Sequence, residues 1–521
     1  MKRILVALAV AALVLPSAVF GANTKTEFSL VNGGEPQSLD PALIQGVPEH
    51  RIYEALFEGL ITYDPKTAEG KPGLAESWTI SKDGKTYTFK LRKAVWSDGT
   101  PITAQTVVDS WLRELDPKTA APYADTPASF IAGAADFKNG KAAADTVQIK
   151  AVDAQTFQAT FNGPLPTVSV LAHYSFAVVP VHAIAKFGQD WTKPENFVGN
   201  GPYKLESWVP QSKVTVVPNP KYYDQKSILL TRITFLPIED LNTEYKMYQK
   251  GEIDWATDVP NDQIEDAMLR KDFNNDIYLG TYYYRLNVTI PALKDAKVRK
   301  ALALAIDRPT LVKRVTKSGQ LPAYSFSPKF ASYTPPTFAA KDDVKAAQKL
   351  LSDAGFPGGK GFPKLTILYN TSENHKKIGE YIQDQWKKNL GIEVELQNKE
   401  WKTYLDDQNN LAYQISRSAW IGDYNDPMTF LEMWTTGNGN NNTGFTDAKY
   451  DALIKQAQTM NEGAPRSKVL KDAETILMTE LPVIPIYTYT TKQLIDLTKW
   501  DGWYPNILDV HSWKFFGPKK K

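Results

Sequence analysis

Not one cysteine occurs in 521 residues, and the chain opens on MKRILVALAVAALVLPSAVFGA. That opening has two basic residues, an apolar run from Ile4 to Leu15 and then small residues, which is the layout of a secretory leader. The run is short for a bilayer span, and no later segment is more apolar. We therefore expect residues 1–22 to be a signal peptide, cut after Gly21 or Ala22; an N-terminal anchor is the alternative. An exported chain of this length without disulfides has to be held by its core. Lacking cysteine, it also cannot carry a lipid tether on that residue. The expected mature form is free in a periplasm, not lipidated. Thiolate zinc sites and cysteine nucleophiles are excluded.

Removing Lys2 and Arg3 with the leader leaves 58 basic and 58 acidic residues. No basic block exceeds the last three lysines, so nucleic acid is not an expected partner.

Periodicity places strands and helices in alternation. FSLVNG, YTFKLR (87–92), RITFLPI (232–238), KLTILYN (364–370), IEVELQNKEW (392–401) and LPVIPIYTYT (481–490) read as strands. The stretch 146–161 reads as two strands about an Asp-Ala turn, and 198–208 with 212–219 as a hairpin. Helices are expected at 48–60, 103–115 with Thr103 as cap, 345–355, 375–391 and 450–460. No internal repeat is present. The chain is α/β with two or more sheets.

Residue chemistry gives little sign of catalysis. The five histidines, His50, His173, His182, His375 and His511, form no HExxH pair, and no GxSxG, P-loop or GxGxxG follows a strand. Asp423 and Asp426 in DYNDP have the spacing of an acid–base pair, but a turn or an ion pair explains them as well. GNGNNNTG (437–444) holds no carboxylate and reads as a flexible surface loop, not a calcium site. Aromatic density is the strongest signal: 25 Tyr and 13 Trp, with clusters at Tyr282–Tyr283–Tyr284 and at Trp401, Trp420 and Trp434. Such side chains suit either a core or a pocket for varied ligands.

Stretches along the whole chain resemble the dipeptide- and oligopeptide-binding proteins of ABC importers. They include GGEPQSLDPALIQGVPE (33–49), PGLAESW (72–78), DPKTAAPYA (116–124), GNGPYKLESW (199–208), LGTYYYRLN (279–287), VRKALALAIDRPTLV (298–312), KEWKTYLD (399–406) and SRSAWIGDYNDPMTFL (416–431). The resemblance implies a two-lobed periplasmic-binding-protein fold of class II, peptide-binding type, with an inserted domain and a two-strand hinge near 278–284 and 485–490. Lobe I would be 23–60 with 184–281 and 490–521, the insertion 61–183, and the second lobe 282–489. It implies a monomer that closes on short peptides and delivers them to the permease subunits of an importer. No cofactor, metal or catalytic residue is implied.

By the same resemblance Asp423 would accept a peptide α-ammonium. Tyr123 would lie near the peptide backbone, and Trp401 and Trp420 would form pocket walls. Glu49, Val47 and Gly422 would pair with the peptide main chain by β-strand addition. Arg417 and His375 would meet the peptide carboxylate, unless Arg417 forms a surface salt bridge and His375 a cap. Tyr283 is a further expected contact. Arg285 departs from the family's glutamate after YYY; it would favour an acidic ligand group or pair with a protein carboxylate. Other ligands fit the same class, among them murein peptides, metal chelates and opine-like compounds. An exported hydrolase or a chaperone-like surface protein would be readings of another kind.

Overall fold

A computed structural model describes residues 26–519; the leader expected at 1–22 lies outside them. Three larger sheets organise the chain. A mixed seven-stranded sheet has Glu27–Val31 at its centre, parallel to both Arg232–Leu236 and Trp255–Ala256. A four-stranded antiparallel sheet is built from Ala75–Ile80, Thr86–Leu91, Ile149–Asp153 and Thr156–Thr160. A six-stranded sheet runs in the order Leu321–Pro322, Val483–Thr490, Ile277–Leu286, Ile415–Ile421, Leu365–Asn370, Val394–Lys399.

The chain passes from the first of these sheets to the last between Asn274 and Ile277, and returns between Thr490 and Gln493. The two crossings are bonded to each other. Thr491 N–H donates to the Asp276 carbonyl (2.8 Å), Asp276 N–H donates to Thr491 Oγ1 (2.9 Å), and Asn275 Nδ2 donates to the Thr491 carbonyl (2.6 Å).

Local chemistry explains the elements. Thr103 Oγ1 accepts from Thr106 N–H while Thr106 Oγ1 accepts from Thr103 N–H, a reciprocal cap for Ala104–Leu115. Val107, Trp111 and Leu115 on that helix are buried at spacing four. Thr103→Ala is expected to cost about 1 kcal/mol, read as a lower urea midpoint at unchanged m-value. Ile378, Ile382, Trp386 and Leu390 form the same buried stripe on Glu373–Leu390. Pro485 sits in Val483–Thr490, where its missing N–H is harmless. Leu321–Pro322 pairs that strand only at Tyr487 and Thr488, and the register against Ile277–Leu286 slips at Pro485.

Three expectations need correction. The strand expected to reach Trp401 stops at Lys399, because the Glu400 carboxylate accepts from Thr403 N–H (2.8 Å) and Lys402 N–H (3.0 Å) and starts the helix Trp401–Asn409. The helix expected to reach residue 60 is Val47–Leu56. The 437–444 segment is no free surface loop. Asn440, Asn441 and Thr443 are buried, and Asn441 Nδ2 donates to the carbonyls of Trp434, Thr435 and Phe445.

Candidate functional site

A cavity of about 400 Å³ lies where residues 32–63, 123, 173–174 and 238–258 face residues 370–375, 401–423 and 440–442. Tyr278, Tyr489 and the 490–493 crossing also line it. The site therefore stands over the two crossings between the sheets.

At one end is Asp423. It follows the strand Ile415–Ile421, and its Oδ2 accepts from Thr429 Oγ1 at 3.4 Å. Its side chain is 11% exposed. Among the described residues its one ion-pairing neighbour is His173 Nε2, 3.4 Å from Oδ1. His173 Nδ1 accepts from Ser175 N–H (3.3 Å), which leaves the proton of the neutral ring on Nε2, pointing at Asp423. Burial holds His173 well below its ordinary value, so it brings no positive charge. Burial also pushes Asp423 up to about 8, against the weaker pull of Thr429. An ammonium placed here would restore the ionised form. Tyr123, Tyr174 and Trp420 wall this end, with Tyr123 and Trp420 stacked at 6.1 Å.

At the other end is Arg417, 7% exposed and lacking a carboxylate partner among the described residues. Its Nη1 donates to Asn370 Oδ1 (3.0 Å), its Nη2 to Tyr489 Oη (2.9 Å), and its guanidinium lies 4.7 Å over the Tyr282 ring. Nε is buried without a partner. His375 lines the cavity beside Tyr282, 3.4 Å from Nδ1 to Oη. Burial and the Arg417 charge hold it well below its ordinary value. Arg417 stands six positions before Asp423, which limits their Cα atoms to about 20 Å.

Between the ends the backbone is exposed for pairing. Ile415–Ile421 pairs with Ile277–Leu286 along its whole length, but with Leu365–Asn370 only at Ile415 and Ser416. Gly422 N–H donates to the Leu279 carbonyl (2.8 Å), so by alternation Trp420 and Ser418 bond that same strand. Ala419 and Ile421 then turn their backbone groups to the uncovered edge. The cavity wraps that edge: Arg417 and Arg285 stand on opposite faces of the sheet, yet both line it.

The structure brings together Asp423, Tyr123, Trp401, Trp420, Arg417, His375, Val47, Gly422 and Arg285. It alters four expected roles. Tyr283 is fully buried against Phe326 and Trp434, because the strand alternates and Tyr282 takes the opposite face. Glu49 is buried behind the wall, where its Oε1 accepts from Gln37 N–H (2.9 Å) and Trp401 Nε1 (3.1 Å). Gly422 lines the cavity but donates its N–H to Leu279, so strand alternation gives Ala419 and Ile421 the outward-turned N–H groups. Arg285 finds no carboxylate among the described residues: Nη1 donates to the carbonyls of Asn440 (2.7 Å) and Asn441 (3.0 Å), and Nε to Ser418 Oγ (3.2 Å). Asp426 is no partner of Asp423 either, since both of its oxygens are taken by Arg466 at 2.7 and 2.8 Å.

Sequence reasoning missed His50, Arg51, His173, Tyr174 and His511. One signal was available: four of the chain's five histidines line this cavity.

Residues 69–442 match the family model of bacterial extracellular solute-binding proteins, family 5. The chain belongs to that family. It is a solute-binding protein, not an enzyme. It is 41% identical to the periplasmic murein peptide-binding protein MppA of Escherichia coli, covering 90% of this chain and 89% of that one. It is 39% identical to the periplasmic oligopeptide-binding protein OppA of Salmonella typhimurium, covering 91% and 88%. Among solved structures, an oligopeptide-binding protein of Borrelia burgdorferi, OppAIV, superposes with a TM-score of 0.92 at 39% identity, over 95% of this chain and all of that one. The murein tripeptide binding protein MppA superposes at 0.91 over 95% and 99%. Its unliganded open form reaches only 0.64 over 95% and 97%, at the same 38% identity. Sequence is not the cause of that drop; the two sides of the cavity stand together here more than in that open form, and they touch where Trp401 Nε1 donates to Glu49.

Proposed function

We propose that this binding protein captures short peptides in the periplasm and delivers them to the permease of an ABC importer. The observation that carries the reading is Asp423: a cavity-facing carboxylate raised by burial and, among the described residues, without a cationic partner, at the far end of a short strand from a guanidinium that has no carboxylate among them. A zwitterion answers both, since each charge would be costly alone. The free edge at Ala419 and Ile421 supports main-chain pairing, which is indifferent to side chains. The relatives' names, for oligopeptides and murein peptides, support the same class.

The mechanism is closure about the crossings at 274–277 and 490–493. Ligand stabilises the closed form because it touches both sides. Sheet membership supports two lobes with 61–183 inserted on the first. Cleavage of residues 1–22, absence of a lipid and a monomeric state complete the proposal.

The test is calorimetry with trialanine and its blocked forms. Amidating the C-terminus is expected to weaken binding about tenfold or more by removing the Arg417 contact. Arg417→Met should weaken binding of the free acid by a similar factor and leave the amide nearly unchanged. If trialanine does not bind, and native mass spectrometry of protein from its host shows one non-peptide mass, the peptide reading falls while the binding class stands.

A further inference from the structure

Each acid lining the cavity touches a protein donor, and Asp423 has only Thr429 and the neutral His173. Asp258 meets Lys492 (3.0 Å), Glu54 meets His50 (3.4 Å), and Glu239 accepts from Trp401 N–H (3.0 Å). Glu244 accepts from Thr257 N–H, and Asp509 accepts from His511 Nε2 (2.8 Å) and Gln493 Nε2 (2.7 Å). The cations divide differently. Lys492 is paired, Arg285 is saturated by carbonyls, and Arg417 faces the position assigned to the peptide carboxylate. Arg51 remains. Among the described residues its guanidinium makes no hydrogen bond. It lies 5.1 Å over the Trp255 ring, its Nη2 is 3.7 Å from an Asp509 oxygen already bonded to Gln493, and its Nε is buried without a partner.

Contacts along the wall place it. Asp423 faces His173, and the His173 ring lies 6.2 Å from that of His50, the residue before Arg51. From Arg51 the wall continues to Tyr278, whose phenol feels the Arg51 charge, then to Tyr489 at 5.9 Å, which bonds Arg417. Arg51 therefore lies between the two ends, beside the crossings that floor the cavity. A peptide held by its termini would present an internal side chain to it.

We propose that Arg51 is a specificity-determining residue that favours peptides carrying an internal acidic side chain. The proposal rests on the peptide reading above. A carboxylate reaching the floor would take the unused N–H groups of a planar, always charged donor, while an amide of the same shape would not supply the charge. Trp255 behind the guanidinium fixes its plane.

The experiment is calorimetry on the full-length mature protein with three sets of peptides: tetra-alanine, tetra-alanine with Glu at position two or three, and the same with Gln. We expect Glu at one of the two positions to bind about tenfold tighter than Gln there. Arg51→Met should abolish that difference and leave tetra-alanine within about twofold, and Arg51→Lys should keep part of it. Equal affinities for Glu and Gln at both positions, with tetra-alanine binding intact, overturn the proposal alone. Failure of tetra-alanine to bind overturns the peptide reading and this proposal with it. A Glu preference that survives in Arg51→Met also overturns it, by assigning the selectivity elsewhere. Unchanged thermal unfolding of the variants separates these outcomes from misfolding.

Discussion

Replacing Asp423 with Asn is expected to lower affinity for trialanine on the order of a hundredfold, and to make the ligand-free protein close more readily. The first effect comes from leaving the peptide ammonium buried without its counter-charge, which costs a few kcal/mol. The second comes from the same carboxylate in the empty protein. In the open form, with Tyr123, His173 and Tyr63, whose hydroxyl donates to the Asp423 carbonyl (3.3 Å), withdrawn, Asp423 should titrate near its ordinary 3.8; in the closed, empty form burial raises it to about 8. A carboxyl raised on closure favours closure only at low pH. The opposition sets in above 3.8, grows to about pH 8, and at pH 7 is on the order of 4 kcal/mol. The ligand ammonium removes that opposition, which is why an α-amine can act as the closing signal. Asn carries no charge and never meets it. Small-angle scattering of the empty protein at pH 7 should therefore show Asp423→Asn more compact than wild type, with the difference vanishing near pH 4. An N-acetylated peptide, which brings no ammonium, should bind wild type poorly at pH 7 and Asp423→Asn more tightly, because the variant closes without that opposition. Equal affinity of both proteins for trialanine would remove Asp423 from the site.

A methyl group at Gly34 is expected to block closure without harming the fold. A Cβ there would lie 2.6 Å from Trp401 Cβ and 3.1 Å from its Cγ, and those atoms belong to the opposite side of the cavity. The backbone atoms carrying Trp401 are held by the helix they start and by Glu239 Oε1, so they cannot yield cheaply. Overpacking of this kind costs about 1–3 kcal/mol. It should fall only on the closed form, because opening is expected to carry Trp401 away from Gly34. Gly34→Ala should thus weaken peptide binding roughly tenfold to a hundredfold. The ligand-free protein should keep its melting temperature, and scattering at moderate peptide concentration should show it still extended. Full compaction with wild-type affinity would mean that Trp401 does not seat against Gly34 when the lobes shut. Trp401 Nε1 also donates to Glu49 across the same gap, so this corner carries both a steric fit and a hydrogen bond.

The sequence by itself determined most of the local elements. Apolar spacing placed the helix Glu373–Leu390 and the cap at Thr103, because a helix or strand writes its buried face into a short window of residues. The family resemblance of the WIGDYNDP and SRSAW stretches singled out Asp423 and Arg417, which both line the cavity from one short piece of chain. Only the tertiary structure decided what each buried face met. Period-two alternation makes Tyr282 and Tyr283 equivalent until it is known that Phe326 and Trp434 lie on one side and Arg417 on the other. Arg285 looked like an anion site until the 437–444 segment arrived with two carbonyls. His50, His173, His375 and His511 are scattered over more than 450 residues and meet in one cavity. A partner hundreds of residues away leaves no mark in the local pattern, and a carboxylate's charge state depends on how much water those distant partners exclude.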